Sequence, residues 1–204
     1  ILLEKDLMVL EEGVLEGRRI FGNIMKYIKM AVSGNFGNMI SVMAASIFLP
    51  FLPMLPVQIL TQNLLCDFSQ MGMPFDKTDE EYIKKPRKWD AKSIRSFMVY
   101  MGPLSSVFDI LCFVVMWWVI GANTMELSPL FQSGWFVFGT VSQVLVIHII
   151  RTGKIPFLQS RSSVPLLIST AMVAIVSIAI GFSRFAIGID MTPLPLSFAP
   201  WLAL

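Results

Sequence analysis

Two side chains four residues apart, Asn63 and Asp67, set the chemistry open to this sequence. Positions i and i+4 share a helix face, so an amide oxygen and a carboxylate would point the same way. Asn35 and Asn38, three residues apart, share a face in the preceding apolar run. Carboxylate and amide oxygens are hard ligands that suit magnesium or calcium. Asp67 stands mid-run with no basic residue close in sequence. Burying an unpaired carboxylate there is costly or forces its protonation, so the residue marks a functional site by default. Asp109, in a third run, is either a further oxygen for the same cluster or the partner of an amide or of Ser105. Asn35 and Asn38 also carry a plainer reading. Ser33, Gly34, Gly37 and Ser41 surround them, and small residues let helices approach and hydrogen-bond. Taken alone, that packing reading is the stronger one for this pair.

Other chemistries find little footing. Cys66 and Cys112 lie in apolar runs without C-x-x-C spacing, so neither a disulfide nor a thiolate metal site is expected. His148 is the single histidine. It sits near a run end beside Arg151 and reads as interfacial or hydrogen-bonded rather than as a ligand. The 14 methionines read as flexible filler more than as a soft-metal path. A net charge of +2 gives no support for nucleic-acid binding.

The elements that must position these residues follow from where charge is absent. The chain is 55% hydrophobic and 15% charged, against about 25% charged in ordinary soluble domains. No Lys, Arg, Asp or Glu occurs from Met30 to Cys66. A membrane helix needs about 20 apolar residues, so this stretch has room for nearly two. Six apolar runs emerge, at 31–49, 57–75, 97–120, 130–150, 164–182 and 193–204. Pro50, Pro53 and Pro56 break the chain between the first two. Met71–Gly72–Met73–Pro74 predicts that the second helix unwinds at its end. The third run carries Trp117 and Trp118 near its end, fitting an aromatic belt with Trp201. The fourth holds Ser142, Gln143 and His148, with Trp135, Phe136 and Phe138 as packing or lipid contacts. The fifth reads as a structural helix. Ahead of them, 1–29 is amphipathic and helical in period, with Gly13 and Gly17 as points where it can bend.

All but one of the 16 basic residues lie in the N-terminal segment, the 76–96 loop and the 151–163 loop; the exception is Arg184. The positive-inside rule then places those three segments in the cytoplasm, and six alternating spans satisfy it. The fold expected is an all-α membrane protein, a bundle of six transmembrane helices behind an amphipathic juxtamembrane segment. The sequence has no signal-peptide pattern at Ile1 and stops at Leu204 inside an apolar stretch. It is expected to be a piece of a longer protein, with its last span truncated.

The block PVQILTQNLLCD, Pro56–Asp67, resembles the sixth membrane helix of P-type cation ATPases, whose pattern runs Pro-Val-Gln-Leu-Leu-x-x-Asn-Leu-x-x-Asp. GNIMKYIKMAVSGNFGNMISVMAAS looks like the fifth helix, and LEEGVLEGRRIFGNIMKYI like the link into its stalk. The later runs match helices seven to ten in number and orientation. DFSQMGMPFDKTDEEYIKKPRKWD with QSGWFVFGTVSQVLVIHIIRT looks closest to the bacterial magnesium-transporting branch.

The resemblance implies a division into the end of a phosphorylation domain and stalk (1–29), two spans with the cation site (30–75), a cytoplasmic loop (76–96) and four further spans (97–204). It implies cation ligands at Asn35, Asn38, Asn63 and Asp67, with Asp109 as a second-tier candidate and magnesium as the transported ion. Asn38 stands where calcium pumps have an acidic ligand, and Cys66 where they have a hydroxyl, so one ion is expected rather than two. The Asp-Lys-Thr-Gly-Thr, Thr-Gly-Glu and Gly-Asp-Gly-x-x-Asn-Asp motifs do not occur in the sequence. By itself the segment is therefore expected to be inactive. Its partners would be the lipid bilayer of a bacterial inner membrane and the phosphorylation, nucleotide-binding and actuator domains that use ATP. The rival expectations are a pump for calcium or another divalent ion, a self-contained six-span channel or secondary carrier, and a non-transporting membrane scaffold.

Overall fold

The computed structural model describes residues 7–203. The first amphipathic positions, 3–6, and residue 204 lie outside the described residues. Helix α1, Leu7–Phe48, is one unbroken element of 42 residues. It passes straight through Gly13 and Gly17, where a bend was open. The proline-studded link then stops it, since proline lacks the amide proton and clashes with the preceding turn. Pro56 opens α2, Pro56–Gln70, as its first residue, where a missing N–H costs nothing. The Gln58 Oε1 accepts from the Leu55 N–H at 2.9 Å and closes that end.

α2 has 15 residues, about 22 Å of helix, shorter than a hydrocarbon core of about 30 Å. It unwinds at Met71 and resumes as a 3-10 turn, Met73–Phe75, where the proline was expected to end it. α3, Glu80–Ile83, is a single turn in the polar loop. α4, Ala91–Val114, begins ahead of its apolar run, capped by Asp90, whose Oδ1 accepts from the Lys92 N–H at 3.0 Å. It passes into a π-helical turn, Val115–Val119. α5, Ser128–Ile150, and α6, Val164–Phe182, follow.

Four of the six apolar runs therefore form helices long and apolar enough to cross a membrane, and the described residues contain no strand. The protein is a multi-pass all-α membrane protein. The sixth run differs from an α-helical span. It forms a 3-10 helix, Leu196–Ala203, that starts just after Pro193 and Pro195 and contains Pro200, which lacks an amide donor.

Packing follows side-chain size. α1 and α4 make the most extensive helix pair. They touch where Gly37 meets Gly102: a Cβ on Gly37 would lie 3.1 Å from the Gly102 carbonyl oxygen. The Ser106 hydroxyl bridges the crossing, 2.9 Å from the Gly37 carbonyl and 3.1 Å from that of Gly102. Gly72 allows a second close approach, since a Cβ there would fall 2.4 Å from the Leu166 Cα of α6. α5 is the central helix. Phe131 to Thr140 are all buried, so Trp135, Phe136 and Phe138 are packing residues.

The apolar core comes in two parts. One gathers Ala45, Met54, Phe113, Met116, Phe131 and Trp135 with their neighbours. The other is small: Met30, Met73, Ile147 and Leu166. Along α1, α2 and α5, a polar layer lies between them.

Candidate cation site

That polar layer forms one side of a partly open cavity of about 440 Å³ between α1, α2, α4 and α5, whose other walls are apolar side chains such as Met101, Leu104, Phe108 and Ile147. Asn35 enters it from α1, Asn63, Cys66, Asp67 and Gln70 from α2, Ser105 from α4 and Gln143 from α5. The structure thus brings together three of the sequence-predicted residues, Asn35, Asn63 and Asp67. The i, i+4 spacing does this on α2 by stacking Asn63 and Asp67 on one face. Asp67 is exposed at the cavity and forms no hydrogen bond or ion pair among the described residues.

Asn38 stands one step behind the cavity wall. Its Oδ1 accepts from Gln143 Nε2 at 2.8 Å, and Gln143 Oε1 accepts from the Cys66 thiol, also at 2.8 Å. A three-helix relay therefore runs from α2 through α5 to α1. Both cysteines are free. The thiol serves here as a hydrogen-bond donor.

Asp109 is not brought to this cavity. It is buried further along α4, where Oδ2 accepts from Ser41 Oγ at 2.5 Å and Oδ1 from Trp135 Nε1 at 3.1 Å. Those donors come from α1 and α5, so the carboxylate ties three helices together. The expectation of a second-tier ligand gives way to the other one, a hydrogen-bonded partner, though with Ser41 and Trp135 rather than Ser105 or an amide. His148 is likewise hydrogen-bonded, with Nδ1 2.8 Å from Ser162 Oγ and Nε2 3.1 Å from Thr170 Oγ1.

Gln70 and Gln143 were not singled out as site residues from sequence. A signal for Gln70 exists: Asn63, Asp67 and Gln70 fall at i, i+4 and i+7, a single helical stripe. Gln143 has no such signal, since its place depends on how α5 packs.

A second cluster missed by sequence reading lies beyond the small core. Asp76, just after α2, is buried and accepts from Arg151 Nη1 at 3.0 and 3.1 Å, from the Ser163 N–H at 3.1 Å and from Lys26 Nζ at 3.4 Å. Arg151, at the end of α5, is 1% exposed. Asn23 Nδ2 of α1 donates to the Pro74 and Asp76 carbonyls at 3.1 and 3.0 Å. Burial pulls the Lys26 ammonium below its usual range, and the Asp76 carboxylate opposes that shift. Next to it, Asp79 accepts from Thr152 Oγ1 at 3.0 Å and from the Gly153 N–H at 3.1 Å. These bonds fasten the first half of the 76–96 loop to α1 and to the end of α5.

Chemically, the cavity offers one carboxylate and several amide oxygens. Among the described residues no group of three His, Cys, Asp or Glu side chains could hold a metal. Tight all-carboxylate chelation is therefore not its chemistry. A divalent ion that keeps part of its water shell suits such a sparse set, and the volume leaves room for those waters.

Comparison with known proteins gives a consistent answer. The family of cation-transporting ATPase C-terminal regions matches residues 51–204. The chain is 58% identical over 202 residues to a "Magnesium-transporting ATPase, P-type 1" of Escherichia coli K12, which is 99% of this chain and 22% of that protein. The protein of the same name from Salmonella typhimurium LT2 is 56% identical over the same coverage. A "Calcium-transporting ATPase" of Bacillus subtilis is 28% identical over 123 residues, 57% of this chain and 14% of that protein. The chain thus spans about a fifth of the length of the magnesium-transporting relatives it matches.

Proposed function

The chain belongs to the family of cation-transporting ATPase C-terminal regions, and we propose on that premise that it is the C-terminal membrane part of an ATP-driven magnesium importer. It supplies part of the intramembrane cation site. The observation that carries this reading is the single cavity shared by Asn35, Asn63 and Asp67. Asp67 and Asn63 hold the ion from α2 and Asn35 from α1, while Asn38 sets the wall through Gln143. Asp109 acts at a distance, by holding α1, α4 and α5 in register.

Magnesium is favoured over calcium by the donor set and by the names of the relatives at 56% and 58% identity. Magnesium dehydrates reluctantly and is commonly held by one or two carboxylates with several waters, and one carboxylate is what this cavity offers. In the intact protein, domains outside this chain hydrolyse ATP through an aspartyl phosphate. The first 29 residues continue as the stalk that carries their motion into α1. The basic end of the bundle faces the cytoplasm of a bacterial cell, and the spans lie in its inner membrane.

The test is Asp67→Asn and Asp67→Ala in the full-length protein, with ATPase activity and ion uptake titrated against magnesium, calcium and manganese. Both variants are expected to lose magnesium-dependent activity. Wild-type activity in both would sink the assignment. A response of the unmodified protein to calcium alone would replace magnesium as the cargo.

A further inference from the structure

Gln70 lines the cation cavity and also a second cavity, of about 390 Å³, nearer the basic end of the bundle. That second cavity is walled by Ile20, Ile24 and Tyr27 of α1 and by Met73 and Pro74 after α2. The two cavities lie in series. Ile20, Ile24 and Tyr27 line one, Ala31 and Gly34 the other. Their alternating four- and three-residue spacing is a single face of α1. On α2, Asn63, Asp67 and Gln70 descend one stripe toward that same end.

Gln70 is 8% exposed, and its Oε1 is buried without a hydrogen-bond partner. A buried acceptor left unpaired is unfavourable unless something visits it. Close by, the small core of Met30, Met73, Ile147 and Leu166 offers no side-chain oxygen.

We propose that the Gln70 amide oxygen is a further contact for the transported divalent cation or its hydration water, placed between Asp67 and the cavity toward the cytoplasm. This rests on the cation-site reading above. Amide carbonyls are hard oxygen ligands of the kind magnesium accepts, directly or through water. A neutral acceptor after the charged Asp67 holds the ion less tightly. It offers the ion a partner beside the apolar side chains of Met30, Met73, Ile147 and Leu166.

The experiment uses full-length protein in detergent, without nucleotide, titrated calorimetrically with magnesium chloride. The Asp67→Asn protein defines the baseline of binding outside the membrane site. Gln70→Met keeps the side-chain length and removes the oxygen; Gln70→Glu keeps an oxygen. Gln70→Met is expected to weaken the Asp67-dependent binding roughly tenfold, the scale of one hydrogen bond to a charged group, with an unchanged melting temperature. Gln70→Glu is expected to bind at least as tightly as the wild type. Wild-type affinity in Gln70→Met overturns the inference, as does equal weakening in both Gln70 variants with a lowered melting temperature, which assigns Gln70 to packing. If Asp67→Asn binds and transports like the wild type, the cation-site reading itself has failed. If Asp67→Asn is inert while Gln70→Met is normal, only the role of Gln70 has.

Discussion

Asp67 faces a cavity with no hydrogen bond or ion pair from the described protein, whereas Asp76, nine residues on, accepts from Arg151, Lys26 and the Ser163 amide. Asp109 follows the Asp76 pattern inside the bundle, with Ser41 and Trp135 as donors. A carboxylate whose lone pairs are already occupied by protein donors is a fixed strut. Its hydrogen bonds hold helices together, and no ligand can take them without breaking the fold. A carboxylate whose lone pairs are open is available to an exchangeable ion. The cavity and the Asp76 cluster sit in succession along the same helices, so the open carboxylate and the helix-fastening one are different residues.

That contrast can be broken at several points. The largest functional effect belongs to Asp67: replacing it by Asn should abolish magnesium transport while shifting the melting temperature little, because no protein contact is lost. Asp76→Ala should show the reverse emphasis. It leaves the buried Arg151 guanidinium uncompensated and should cost about 3–5 kcal/mol of stability, read as a large fall in melting temperature of the full-length protein in detergent. Trp135→Phe removes one donor from Asp109 and should cost about 1–3 kcal/mol, with magnesium affinity unchanged. An affinity loss there would return Asp109 to the ion's coordination. Smallest is Lys26→Met. Burial already disfavours its charge, and Arg151 continues to hold Asp76, so a change under about 1 kcal/mol is expected in the same melting assay.

Much of this arrangement was legible in the sequence, for physical reasons. Apolar runs had to become helices, and the prolines between the first two runs had to end the first helix. The stripe of Asn63 and Asp67 needed only helical spacing. The destination of Asp109 did not follow, because its donors stand 68 residues earlier, at Ser41, and 26 later, at Trp135. Arg151 was legible as a charge that marks an orientation, yet it is also buried against Asp76, 75 residues away. Distances of that kind are fixed by packing, and one sequence carries no local sign of them. The sixth run was legible as apolar, but hydrophobic length alone carries no sign that it forms a 3-10 helix with Pro200 inside it.

The unbroken α1 gives the bundle a mechanical property. A rod of 42 residues is about 63 Å long. Its glycine crossing with α4, at Gly37 on Gly102, divides it into arms of about 45 Å and 16 Å. Tilted about that fulcrum, the long basic arm would sweep nearly three times as far as the short one. Asn35, two residues from the pivot, would hardly translate at all. A push delivered at the far end would turn the wall of the cavity while leaving Asn35 where it was, a gearing that converts a wide stroke into a small rotation at the cavity.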